Sequence, residues 1–123
     1  MLGMMIPSLN RMKVLVECLD NIDIHSYMIP ADYCMFVCLQ GFSTIDAKWL
    51  VKHFPKGKFY MFSKPLGPGG ARAFLCKEIL QAKGVDPILS FDDDTIFTDK
   101  TNVLDAMTLI KNEEDGIGIV QFS

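Results

Sequence analysis

An α/β fold, a largely parallel sheet flanked by helices, is predicted by two patterns in the chain. Short apolar runs alternate with stretches of helical periodicity, and polar or glycine-bearing residues follow the ends of the runs. The first expected strand is 3–7 within Met1-Leu2-Gly3-Met4-Met5-Ile6-Pro7, which has neither the basic start nor the small-residue cleavage site of a secretory leader. A helix over 11–24 follows, with Leu15, Cys18, Leu19 and Ile22 on one face. The second strand is 33–39. Gln40-Gly41-Phe42 then turns, Ser43 or Thr44 caps, and a helix over 46–54 is stopped by Pro55 and Gly57, with Ile45, Trp49 and Phe54 expected on its core side. The third strand is 58–62, the loop over 64–70 is rich in Pro and Gly, and a helix over 71–83 ends at Gly84. The fourth strand is 87–91, a helix is expected over 102–111, and the fifth strand is 117–122.

At 123 residues the chain is expected to form a single domain with a real core. Half the residues are hydrophobic, including nine Phe and eight Met. No stretch approaches the roughly 20 uninterrupted apolar residues of a membrane span, so the expectation is a soluble, cytoplasmic protein without a transmembrane segment. Covering so much apolar surface implies self-association of the isolated chain. Cys34 and Cys38 are separated along an extended chain by about 13 Å, beyond the ~7 Å between Cα atoms that a disulfide tolerates. With Cys18 and Cys76 on apolar helix faces and no metal-binding spacing, the four cysteines read as reduced core residues. A net charge of −3 gives no general attraction to nucleic acid.

The densest chemistry lies in Ser90-Phe91-Asp92-Asp93-Asp94-Thr95, where three adjacent carboxylates close an apolar run. Like charges so close need a compensating cation, and hard oxygen ligands suit Mg²⁺, Mn²⁺ or Ca²⁺. An isolated Asp triplet is equally at home in a polar turn before a helix. Its position gives it more meaning, because ligands of open α/β sheets bind at the carboxyl ends of the strands. Those ends carry Ser8-Leu9-Asn10-Arg11, Gln40-Gly41, Ser63-Lys64 and the triplet. Gly67-Pro68-Gly69-Gly70-Ala71-Arg72 opens a helix, so the backbone N–H groups at Gly69 and Gly70 can approach an anion while Arg72 reaches the same place. Carboxylates for a metal, with a metal, Arg72 and a helix start for phosphates, make a coherent nucleotide-diphosphate site.

These residues resemble a known family over about 4–122. Met5-Ile6-Pro7-Ser8-Leu9-Asn10-Arg11 looks like the opening strand and turn of family 2 glycosyltransferases with the GT-A fold. Gly67-Pro68-Gly69-Gly70-Ala71-Arg72 looks like their glycine-and-arginine helix start, and Phe91-Asp92-Asp93-Asp94 like their DxD motif, in matching order and spacing. The resemblance implies a GT-A-like, Rossmann-like domain that binds a nucleotide-diphospho-sugar donor and transfers the sugar to an acceptor. Pro7, Ser8, Asn10 and Arg11 would line the base and ribose pocket, and Arg72 would face the base or diphosphate. Gly69, Gly70 and Asp93 are counted with the donor-binding residues. Asp92 would meet the ribose or the metal, Asp94 would ligate Mn²⁺ or Mg²⁺, and the ion would neutralise the leaving diphosphate.

The chain departs from that family in two places. Where members end the second strand with acidic residues that read the base, this chain has Leu39-Gln40-Gly41-Phe42-Ser43, so Gln40 is left to recognise a base edge through its amide and the nucleotide stays open. Members also continue beyond the fifth strand into an acceptor-binding half that supplies the catalytic base. That half is expected to be missing here, turnover by the 123 residues alone is not expected, and no catalytic residue is assigned. Asp99 and Asp105 read as an exposed loop and helix face, and residues 113–115 as a solvated turn. The acceptor, a glycan, a small molecule or, less favoured, a nucleic acid, is undefined. A binding-only or inactive domain acting in an assembly is one alternative. A nucleotidyltransferase is another, opposed by the lack of glycine over 8–12.

Other residues read as structural. His25 and His53 lack ligand-spaced partners, and Ser8 and Ser43 lack an adjacent base. Lys48, Lys52, Lys56, Lys58 and Lys64 form a basic stretch that reads as a solvated face, with a polyanionic acceptor as the less favoured reading.

Overall fold

Strands and helices alternate from the first strand to the fourth, and a fifth strand is described after them: β1 (Leu2–Leu9), α1 (Met12–Ile24), a short 3-10 turn (Ser26–Met28), β2 (Tyr33–Gln40), α2 (Thr44–His53), β3 (Gly57–Phe62), α3 (Gly70–Gln81), β4 (Ile88–Phe91) and β5 (Ile119–Phe122). The structure is a computed structural model and describes residues 1–29, 32–67, 69–82, 84–85, 88–97 and 119–122. The expected helix over 102–111 and the acidic residues Asp99, Asp105, Glu113, Glu114 and Asp115 lie outside them. The 3-10 turn after α1 is not anticipated by the sequence.

The five described strands are all parallel, in the order β3-β2-β1-β4-β5. The chain steps outward from β1 to β3, then crosses back to place β4 on the other side of β1. The topological switch point therefore falls between β1 and β4, where open parallel sheets form their ligand crevice.

A parallel sheet covered on both faces needs strands that are apolar on both sides, and β2, Tyr-Cys-Met-Phe-Val-Cys-Leu-Gln, is buried at every position. Leu2, Met4 and Ile6 of β1, with Met35, Val37 and Leu39 of β2 and Leu89 and Phe91 of β4, form one core with α1 and α2. Met5, Cys34, Phe36, Cys38 and Ile88 face the opposite way, against Ala71, Leu75 and Ile79 of α3. On α1 the buried residues are Leu15, Cys18, Leu19 and Ile22, the stripe the spacing predicts. Each large apolar side chain so buried contributes on the order of 1.5–3 kcal/mol.

Ser43 caps α2 by accepting the Asp46 N–H at 3.1 Å. Asp46 in the first turn and Lys52 and His53 in the last suit the helix dipole. The core side of α2 corrects the expectation for Ile45 and Trp49. Ala47 and Leu50 face the sheet, while Ile45 is 81% and Trp49 40% exposed. Apolar residues at 45, 47, 49, 50 and 51 surround this helix, so periodicity leaves its rotation open, and the close approach to the sheet selects the small Ala47. Trp49 instead stacks on His53 with ring centroids 3.9 Å apart. Phe54, as expected, is buried.

All four cysteines are free, three of them buried and Cys76 half-buried. No described helix is long and apolar enough to cross a membrane.

Candidate functional site

The turn that follows β4 is held in shape by its own residues. Thr95 N–H donates to the Asp92 carbonyl at 3.0 Å, and Asp92 N–H donates to Thr95 Oγ1 at 3.1 Å. Beyond it, Asn21 of α1 grips Phe97, donating from Nδ2 to the Phe97 carbonyl at 3.2 Å and accepting the Phe97 N–H. The three carboxylates are thereby sent to three different environments.

Asp93 turns inward and is buried. Ser8 Oγ donates to its Oδ2 at 2.8 Å, Arg11 Nε donates to the same oxygen at 3.1 Å, and Arg11 Nη2 pairs with Oδ1. A carboxylate removed from water costs several kcal/mol unless paired and hydrogen-bonded, and a two-pronged guanidinium with a hydroxyl satisfies both oxygens. The Asp93 hydrogen bond and charge raise the pKa of Arg11, with Asp94 and Asp92 adding smaller contributions. Asp92 stays half-buried at the rim, where Arg72 Nη2 pairs with its Oδ1 and Arg72 Nε donates to Ser90 Oγ at 3.2 Å. Asp94 is exposed and has no hydrogen bond or ion pair among the described residues.

The compensation the sequence assigned to a divalent ion is therefore supplied, for two of the three acids, by arginines from α3 and from the β1–α1 turn. That turn owes its tightness to Asn10, whose φ of +45° is left-handed and whose N–H donates to the Gln40 carbonyl at 2.9 Å. Asn tolerates this conformation better than most residues.

Between these groups lies a cleft of about 290 Å³, floored by Pro7 and Gln40 and walled by Arg11, Arg72, Asp92, Asp93 and Asp94, with Leu9, Gly67 and Ala71 completing it. Seven residues named from sequence thus meet in one cleft, and Ser8 sits behind it holding Asp93. Asn10, Gly69 and Gly70 do not line it. Gly70 instead donates its N–H to the Gly67 carbonyl at 3.2 Å, and a Cβ there would stand 2.9 Å from Leu66 Cβ. Nothing in the sequence singles out Leu9, Gly67 or Ala71 individually. Ser90 and Thr95 act as supports the sequence reading misses, although a serine two residues before Asp92 on an apolar strand is a legible signal for a polar partner.

Gln40 borders the cleft and also braces the backbone. Its Nε2 donates to the Ser8 carbonyl at 3.3 Å, and its Oε1 accepts the Leu66 N–H at 2.9 Å. The amide is a buried strut joining the ends of β1 and β2 to the loop before α3, with both of its ends engaged by backbone.

The start of α3 has no side-chain cap and no acidic residue in its first turn. By helix geometry the N–H groups of Ala71 and Arg72 have no intrahelical acceptor, and Ala71 borders the cleft. Two cationic features, this helix start and Arg72, thus converge beside the unpaired Asp94.

Among the described residues no group of three or more His, Cys, Asp and Glu side chains is placed to hold a metal. Asp94 and the second oxygen of Asp92 are the oxygen donors left without partners, a set suited to an ion that completes its shell with phosphate oxygens and water. Cys18, whose thiol lies 3.9 Å from the Asp92 carbonyl, takes no part as a thiolate. Burial, then the charges of Asp93 and Asp94, push its pKa up to about 12. His25 and His53 each bond through Nδ1 to a carbonyl one turn back, at 2.9 and 2.8 Å, away from the cleft.

Comparison of the chain with protein-family models, with curated proteins and with solved structures found no match in any of the three. The open parallel sheet and its switch-point cleft define the class: an α/β domain of Rossmann-like architecture.

Proposed function

We propose that this chain is the donor-binding domain of a GT-A-type, family 2-like glycosyltransferase, taking a nucleotide-diphospho-sugar at the cleft between β1 and β4. The observation that carries the reading is the asymmetry of the acidic triplet. Asp93 locks the site, Asp92 shares Arg72, and Asp94 is left facing solvent beside an uncapped helix start. An exposed carboxylate is common in a structural turn, but Asp94 shares its cleft with two groups that attract anions, Arg72 and the start of α3. A bound diphosphate together with a divalent cation uses all of them.

In this reading Arg72 and the N–H groups of Ala71 and Arg72 receive the diphosphate, and Arg72 exchanges its carboxylate partner for a phosphate. Asp94 and Asp92 would hold Mn²⁺ or Mg²⁺, whose chemistry there is to neutralise charge on the leaving diphosphate. Arg11 holds Asp93 through Nε and Nη2, and in this reading its role is to position the motif. Gln40 lines the cleft, and its amide, already bonded to Ser8 and Leu66, keeps one N–H and one lone pair for a base edge.

A binding-only domain is the second reading. It is favoured by one observation: of the carboxylates lining the cleft, Asp92 and Asp93 already have arginine partners, which leaves Asp94 alone among the described residues to serve both as metal ligand and as base. Calorimetric titration of nucleoside diphosphates and nucleotide-sugars, with and without Mn²⁺, on the native chain and on Asp94→Ala tests the proposal. Metal-dependent binding of a nucleotide that disappears in the variant is the expected result; no binding of any of them by the folded chain refutes it.

A further inference from the structure

A second cavity, of about 380 Å³, lies at the opposite end of the sheet order from β5, between α2 and β3. Its walls are Ala47 and Val51 from α2 and Phe59 and Met61 from β3, with Lys48 and Lys52 beside them. Val51 is 59% and Met61 47% exposed, so water covers an apolar surface here. Neither lysine has a hydrogen bond or ion pair among the described residues. The neighbouring Lys56, by contrast, is held by Asp32 at 2.8 Å.

The groove runs beside a backbone edge that no described strand covers. Among the described residues β3 ends the strand order and pairs with β2 alone. The carbonyls of Lys56 and Phe62 point toward β2, accepting from Met35 and Gly41. Because hydrogen-bonding direction alternates along a strand, the N–H and C=O groups of Phe59 and Met61 face outward, on the side where their neighbouring groove opens.

We propose that this edge is a docking site for an acidic, extended segment of a partner protein, which adds to β3 as a further strand. The match is both steric and electrostatic. Lys48 and Lys52 are separated along α2 by about 6 Å, and alternate residues of an extended strand by about 6.6 Å. Two carboxylates at i and i+2 on one face of the segment therefore meet the two lysines. Flanking Val or Ile residues on that same face cover Phe59, Met61 and Val51. Main-chain bonds to Phe59 and Met61 supply affinity, and the lysines supply register and choice of partner. A second copy of this chain is disfavoured as occupant, since two-fold pairing along β3 brings each pair of lysines toward the other. Nucleic acid is disfavoured by the apolar floor and the net charge of −3.

The test uses the full chain and a fluorescent synthetic peptide of about nine residues that carries Val-Glu-Glu-Val along one face and Thr along the other, read by anisotropy. Binding is expected for this peptide and not for its Glu-to-Lys counterpart. The double substitution Lys48→Glu, Lys52→Glu should weaken it by about tenfold or more at low salt. Met61→Pro removes one outward N–H without touching the β2 ladder, and should weaken binding while the circular dichroism spectrum is retained. Should that variant unfold, N-methylation of alternate peptide amides makes the same deletion from the other side. Equal binding of acidic and basic peptides, or full binding of the N-methylated peptide, overturns the proposal. So does preferential capture of a single-stranded oligonucleotide, or a dimer in sedimentation that the lysine substitutions leave intact and that blocks the peptide.

Discussion

Asp93 and Arg11 are separated by 82 residues in sequence, yet their side chains pair through both carboxylate oxygens. The pair ties the end of β4 to the turn after β1, and Ser8 closes it from below at 2.8 Å. The middle acid of the triplet is thus a tether for the other two.

Arg11→Ala and Asp93→Asn should therefore differ in cost. The first strands an ionised carboxylate in a buried position, whereas the second leaves a neutral amide whose oxygen still accepts from Ser8. Urea midpoints should fall further for Arg11→Ala. Equal midpoints would mean that Asp93 finds water when its arginine is gone.

Asp94 separates function from stability. It is exposed and unpaired, so Asp94→Asn should change unfolding free energy by no more than about 0.5 kcal/mol. Under the proposed function it should nevertheless abolish Mn²⁺-dependent nucleotide binding. A stability loss accompanying the binding loss would point to a structural role for this carboxylate.

Arg72 should couple metal and anion in opposite directions. With no ligand bound it neutralises Asp92, so Arg72→Gln frees that carboxylate and should tighten binding of Mn²⁺ alone. The same substitution deletes a phosphate contact and should weaken pyrophosphate by about tenfold. Manganese binding can be followed by electron paramagnetic resonance, and pyrophosphate by calorimetry. Weakening of both ligands together would place Arg72 in the frame of the site and not at its ligand.

The doubly covered parallel sheet is legible in the chain because its strands are apolar on both faces, as at β2, and because α1 shows a clean stripe. Boundaries mostly fall within a residue or two of expectation. The rotation of α2 is not legible, since its apolar residues lie all round the helix and only contact with the sheet selects Ala47 and Leu50. The locations of the site residues are legible as strand ends, and topology gathers seven of them into one cleft. Their pairings are not. Arg72 lies 20 residues before Asp92, and local sequence cannot say that a guanidinium, in place of an ion, will meet each of two acids. The amide of Gln40 is likewise free on paper and engaged in the fold.

Cys18 gives the fold a stability limit at high pH. Its folded pKa is raised to about 12, chiefly by burial, while an unfolded thiol ionises near its ordinary value of about 8.5. The unfolded chain therefore loses its proton first. The contribution is fully present below about 8.5 and is lost as pH rises toward about 12. Cys38, pushed up to about 11 by burial, acts in the same sense. Urea midpoints should fall across that interval, and less steeply in Cys18→Ala than in the native chain. Parallel slopes would assign the loss to other groups.

Gly3 of β1 lies directly under Val85, the residue that follows α3 and Gly84. A Cβ added there would lie 2.5 Å from Val85 Cγ1, with Ile79 Cγ2 at 3.7 Å and the Phe36 ring at 3.8 Å. Val85 is short and β-branched, so it has little room to swing aside. Gly3→Ala should cost about 1–3 kcal/mol through overpacking, seen as a lower urea midpoint with an unchanged slope. Val85→Ala removes the colliding methyl, so the double variant should recover part of that loss, and the two changes should not add. Simple additivity would show that the segment after α3 shifts away from the sheet as a whole, and that Val85 is not the wall Gly3 accommodates.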